Sequence, residues 1–153
     1  MTRFLLYATP MLVFSVFTYG QQVKDPSVNK VISGEVGSPY KSSPAHAELL
    51  LKRTELQSEL ESLVLEYTEE FPKVVQIRYS LTVLQKESER IRAVKPAEAS
   101  KLTLALGKLM VRKIELETDL WELLKNYKDE HPDVKRAKRK VEIYEAAIKE
   151  ILG

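Results

Sequence analysis

The chain has no cysteine, only two histidines and only five glycines in 153 residues. Without cysteine there is no disulfide framework, thiolate metal site or thiol nucleophile, so packing alone must hold the fold. With His46 and His131 as the only imidazoles, and no Gly-x-Ser-x-Gly or glycine-rich phosphate loop, few of the usual catalytic groups are present. The net charge of +2 is not the footprint of a nucleic-acid binder. No motif for a cofactor is present, and the chemistry points away from an enzyme.

Met1–Gly20 reads as a secretory signal peptide. Arg3 supplies the positive start, Phe4–Phe17 is an apolar run, and Thr18 and Gly20 are small residues before a cleavage at Gln21. The run falls short of the roughly 20 apolar residues that a spanning helix needs. The alternative is an uncut N-terminal anchor, the only reading that puts the protein on a membrane. The expected location is therefore the periplasm or the exterior, or else the inner membrane through the N-terminus. Residues 21–43, broken by Pro26, Gly34, Gly37 and Pro39, read as a flexible linker.

What the chain does have is a repeat. Glu55–Val74 (ELQSELESLVLEYTEEFPKV) aligns without a gap with Glu115–Val134 (ELETDLWELLKNYKDEHPDV), at an offset of 60 residues. Leu56/Leu116, Leu60/Leu120, Leu63/Leu123, Tyr67/Tyr127, Glu70/Glu130, Pro72/Pro132 and Val74/Val134 are identical pairs. Self-similarity at a fixed offset means one structural unit used twice. Each copy carries apolar residues in steps of three and four, which keep one stripe of a helix apolar. The first stripe runs Leu49, Leu56, Leu60, Leu63, Tyr67, then Val74, Ile77, Leu81, Leu84, Ile91. The second runs Leu109, Leu116, Leu120, Leu123, Tyr127, then Val134, Ala137, Val141, Tyr144, Ile148, Ile151. Charge interrupts both at Arg53/Lys113 and Glu70/Glu130. The flanks Leu50/Met110 and Val64/Leu124 widen the stripe, which suits a bundle.

Pro72 and Pro132 end one helix and suit the first turn of the next. Tyr67, Phe71, Pro72 and Val74, and their copies Tyr127, His131, Pro132 and Val134, are thus expected to shape two hairpin turns. A continuous helix kinked at proline is the rival reading, because the apolar phase runs on through Pro72. The expected fold is all-α: two tandem αα-hairpins over 44–93 and 96–153, as a four-helix bundle or as extended hairpins. Ser43 and Pro44 open the first arm, which runs to about Tyr67; Pro96 or Ser100 opens the third, which is longer than its partner arm. A lone hairpin buries too little apolar surface to offset the entropy of ordering it. Either the two hairpins pack together or chains associate as a homo-oligomer.

Tyr67-Thr-Glu-Glu-Phe-Pro-Lys-Val74 and Tyr127-Lys-Asp-Glu-His-Pro-Asp-Val134 resemble a motif of the periplasmic helical region of polysaccharide co-polymerases, the chain-length determinant proteins of bacterial envelope polysaccharide export. The resemblance covers about forty residues per copy and implies a periplasmic helical hairpin and an envelope setting. A second transmembrane helix, a kinase domain and an α/β base domain are missing, so polymer-length control is not implied.

Two features distinguish the copies. Lys135, Arg136, Lys138, Arg139 and Lys140 form a basic run, where the first copy has only Arg78. It reads as a solvated helix face, or as a contact for an anion or an acidic partner. Trp121 replaces Glu61, as packing or as an anchor for a partner. The carboxylate pairs Glu69-Glu70 and Asp129-Glu130 read as solvated turns rather than metal ligands. The functional expectation is a non-enzymatic protein that makes protein–protein contacts in the bacterial envelope, with a link to polysaccharide export as an option. The alternative is a periplasmic holdase chaperone.

Overall fold

The computed structural model describes residues Tyr40–Gly153, all within one compact unit. The expected signal peptide and most of the expected linker lie outside the described residues. Among the described residues are four α-helices and no strand: α1 (Pro44–Val64), α2 (Pro72–Ala93), α3 (Leu104–Asn126) and α4 (Pro132–Leu152). A 3-10 helix at Pro96–Lys101 joins α2 to α3. The fold is all-α, in a helical-hairpin arrangement.

Local chemistry sets the starts. The Ser43 hydroxyl accepts from the His46 N–H at 3.2 Å, and Pro44 follows as the first helical residue. Pro72 and Pro132 open α2 and α4. The third helix does not start at Pro96 or Ser100 as expected. Pro96–Lys101 winds more tightly, Leu102 drops into the core, and the Thr103 hydroxyl caps α3 by accepting from the Leu106 N–H at 3.2 Å. The third helix is still longer than its partner arm, with 23 residues against 21 in α4. The first arm stops at Val64, short of Tyr67, because the turn consumes 65–71. The last residues of the expected linker belong to the fold. Tyr40 packs edge-on against His46 with centroids 5.5 Å apart, and its carbonyl accepts from the Ser43 hydroxyl at 2.6 Å.

The prolines mark turns, not kinks. Arg53 on α1 reaches back to Gln85 (3.1 Å) and Ser88 on α2, and Lys113 on α3 reaches Glu145 (2.9 Å) on α4. Arg53/Lys113 and Gln85/Glu145 are equivalent in the repeat, so one cross-arm contact is built twice. The hairpins lie side by side and parallel. Ala45 donates its N–H to the Leu102 carbonyl at 3.3 Å, and Lys52 pairs with Glu115 at 3.0 Å. On the other side α2 runs antiparallel to α3, through Gln76–Glu122 (2.5 Å), Ser80–Thr118 (2.9 Å) and Glu87–Lys113 (2.6 Å). Both hairpin apices therefore share one end. The 3-10 connector and the C-terminus share the other, tied by the Lys101 ammonium donating to the Leu152 carbonyl at 2.8 Å.

The third helix sits at the centre. It packs against α1, α2 and α4, while α4 packs principally on α3. Leu106, Met110 and Ile114 are fully buried in it, with Leu49, Ile77, Leu84 and Ile91 from the first hairpin and Ile148 from α4. The flanking pairs thus diverge. Met110 is buried because its side of α3 faces the first hairpin. Its equivalent Leu50 is 50% exposed, and Val64 and Leu124 are exposed as well, so the expected wide apolar stripe is covered only in part.

Gly107 sets the spacing of α1 and α3. A Cβ there would lie 2.9 Å from both the Ala45 Cα and the Glu48 Cβ. One of these is main chain, so the helices themselves would have to separate. Gly107→Val is expected to lower stability by about 1–3 kcal/mol, the usual cost of overpacking, measured by urea unfolding. An unchanged unfolding midpoint would refute the close crossing.

Candidate functional site

The apices repeat in detail. After each first arm the chain leaves the helix, and the tyrosine stacks on the residue before the proline. Tyr67 lies on Phe71 with centroids 4.1 Å apart, and Tyr127 lies on His131 at 4.2 Å. The Phe71 N–H donates to the Thr68 carbonyl at 3.1 Å, and the His131 N–H to the Lys128 carbonyl at 3.0 Å. Glu69 pairs with Arg78 at 2.5 Å, and Asp129 with Lys138 at 2.8 Å. Val74 and Val134 are fully buried one turn into the next helix, and Pro72 and Pro132 stay exposed. His131 has one feature of its own: its Nδ1 accepts from the Asp133 N–H at 3.2 Å, capping α4. The eight expected turn residues are thus brought together, four to an apex. Their tyrosines are half exposed, beside Leu65, which is 85% exposed.

Between the arms lies a cluster that the apolar pattern did not reveal. Lys113 occupies a stripe position and is buried. Its ammonium meets Glu87 of α2 at 2.6 Å, Glu145 of α4 at 2.9 Å and Glu117 of α3 at 3.2 Å. Arg90 bridges Glu87 (3.1 Å) and Glu145 (3.0 Å) from above. One buried cation therefore ties α3 to two of the three helices around it, α2 and α4. Burial disfavours the Lys113 charge, but hydrogen bonds to Glu87 and Glu145 outweigh it and lift its pKa above the usual lysine range. Burial likewise pushes the Glu145 carboxyl up, yet the bonds from Lys113 and Arg90 prevail and hold it below the usual carboxylate range. Sequence offered one clue, a lysine in an apolar stripe. Glu87 and Glu145 lie off the stripes, so their convergence on it was not legible.

The basic run is exposed along α4, with Lys138 partly covered. Arg136 pairs with Asp133, Lys138 with Asp129 and Arg139 with Glu142 (3.2 Å). Lys135 and Lys140 make no ion pair among the described residues. Trp121 faces the other way, toward the first hairpin. It stacks on Tyr79 of α2 at 4.5 Å and 9° and is covered by the Lys125 ammonium at 3.5 Å. Trp121 thus packs α2 against α3.

The cluster makes the attachment of α4 sensitive to acid. Glu145 has a lowered folded pKa, so its contribution is present above the ordinary carboxylate value of about 4.3 and is lost as pH falls through the lowered one. Urea unfolding should show stability falling on acidification below about pH 4. At pH 7, Lys113→Ala, which leaves Glu87 with Arg90 alone, should cost about 3 kcal/mol. A loss under about 0.5 kcal/mol, the level of an exposed pair, would contradict the cluster.

No helix among the described residues is long and apolar enough to cross a membrane. No protein-family model, curated protein or solved structure matches the chain.

Proposed function

We propose that the chain is an exported, non-enzymatic helical protein that makes protein–protein contacts in the bacterial cell envelope. The observation that supports this most is the doubled apex. Two hairpins lie parallel, and the same aromatic stack and acid–base clamp stand side by side at one end. Tyr67 and Tyr127 are half exposed there, and tyrosine is a residue that anchors contacts. Met1–Gly20 supports export, and the apex motif supports an envelope setting, with polysaccharide export as one candidate context.

Cross-linking of the tagged protein in its own envelope, followed by identification of what co-purifies, tests this reading. One or two dominant partners are expected, and their recovery should fall about tenfold in Tyr67→Ala/Tyr127→Ala, the loss of a hot-spot contact of about 1.4 kcal/mol. A broad spread of unrelated outer-membrane and secreted chains would overturn it in favour of a holdase.

A further inference from the structure

The two hairpins are copies, yet only one has its side groove filled. In the first, Leu56, Gln76, Ile77 and Ser80 face α3, whose Ile114 and Thr118 close the space to about 130 Å³. The equivalent residues of the second hairpin are Leu116, Arg136, Ala137 and Lys140. They line a larger groove of about 300 Å³ between α3 and α4, floored also by Leu123. What fills the first groove is a face of α3 carrying Met110, Val111, Ile114 and Thr118. The equivalent face of α1 carries Leu50, Leu51, Thr54 and Ser58, and all four are exposed, the leucines by 50% and 57%. The molecule thus ends on one side in an empty groove and on the other in the matching, uncovered helix.

The side-chain contacts carry across as well. Four of the contacts that tie α3 to the first hairpin can be shifted by one repeat, which places α1 of a second copy against the second hairpin; the fifth, Glu87–Lys113, becomes Ala147–Arg53 and is lost. Lys52–Glu115 (3.0 Å) becomes Arg112–Glu55, and the Tyr79–Trp121 stack (4.5 Å) becomes Arg139–Glu61. Gln76–Glu122 (2.5 Å) becomes Arg136–Ser62, and Ser80–Thr118 (2.9 Å) becomes Lys140–Ser58. The first two are ion pairs, and the last two join a cation that donates to a hydroxyl that accepts. Lys140 makes no ion pair within its own chain among the described residues. The basic run on α4 thereby gains an acidic counterpart in Glu61 of the next molecule, with Glu55 beside it on the same helix.

From this we infer that α1 of a second copy docks in the α3/α4 groove of the first, as α3 docks on α1 and α2. The interface is head-to-tail: each molecule offers one groove and one helix face, so association continues into a ring or a filament. It is weaker than the contact within the chain. Thr54 stands where α3 has Ile114, and Ala47 stands where it has Gly107, so the copies cross farther apart at the base. Lys73 and Asp119, which share the first groove, become Asp133 and Glu59, a like-charged pair with Arg136 beside it. This inference concerns self-assembly and does not rest on the envelope function proposed above.

Sedimentation of the full-length chain over a concentration series tests it. The wild type is expected to grow beyond dimers. Ala137→Trp fills the groove, Glu55→Arg/Glu61→Arg reverses the charge of the face, and each variant alone is expected to be monomeric. Their equimolar mixture retains one intact groove and one intact face, and is expected to stop at a dimer. A wild type that stays monomeric at all concentrations, or variants that assemble like it, would overturn the inference. Cross-linking covers the case of a variant that fails to fold. The chain has no cysteine, so Ser58→Cys/Lys140→Cys carries the only thiols. On oxidation it is expected to give a ladder of linked chains. Ser80→Cys/Thr118→Cys, the equivalent pair inside one molecule, is the control and closes within the chain. A closed control without a ladder would also overturn the inference.

Discussion

Everything in this structure depends on burying α3. A two-helix hairpin has a single apolar seam and too little of it to offset its own ordering. Two hairpins could share their seams in several ways, and this chain lays one arm of the second into the groove of the first. The third helix is thereby enclosed by α1, α2 and α4, and its residues differ from those of α1 accordingly. Gly107 replaces Ala47 where two helices cross within the reach of a Cβ, Met110 and Ile114 replace Leu50 and Thr54, and Trp121 replaces Glu61 to pack on Tyr79. The repeat kept the apices alike and changed the face that had to be covered.

Charge plays a second part. Arg53 and Lys113 stand at one repeat position and both reach across to the partner arm. In the first hairpin, where Arg53 is only half-buried, Gln85 and Ser88 suffice. At the centre the lysine is buried, and carboxylates from α2 and α4 meet it. The same position therefore serves as a hydrogen-bonded link between two arms in one copy and as the ionic tie of three helices in the other.

Much of this was legible from residue order alone. Proline after a tyrosine, repeated at one offset, marks two breaks in the helical pattern, because proline inside a helix removes a hydrogen bond and clashes with the preceding turn, while at a helix start it costs nothing. The choice between turn and kink needed the structure, since the apolar phase crosses Pro72 unbroken. Exposure was the least legible. Leu50 and Met110 look alike in sequence, and only the side on which the other hairpin lies separates them. Residues 96–103 misled for a related reason: Pro96 and Ser100 are good helix starters, but burial of Leu102 moves the cap to Thr103. The apex residues were expected together and lie together. Trp121 reads in sequence as packing or as an anchor, and it packs on Tyr79, on a different face from the basic run.

The parallel arrangement of the two hairpins is the claim from which the rest follows. Nitroxide labels on cysteines placed at Glu70 and Glu130, both exposed in their turns, measure it directly. Labelled chain diluted in unlabelled chain isolates the distance within one molecule. Apices at one end predict a separation well below the length of an arm, which is about 30 Å for some 20 residues at 1.5 Å each. A separation of an arm's length or more would place the apices at opposite ends and contradict the account.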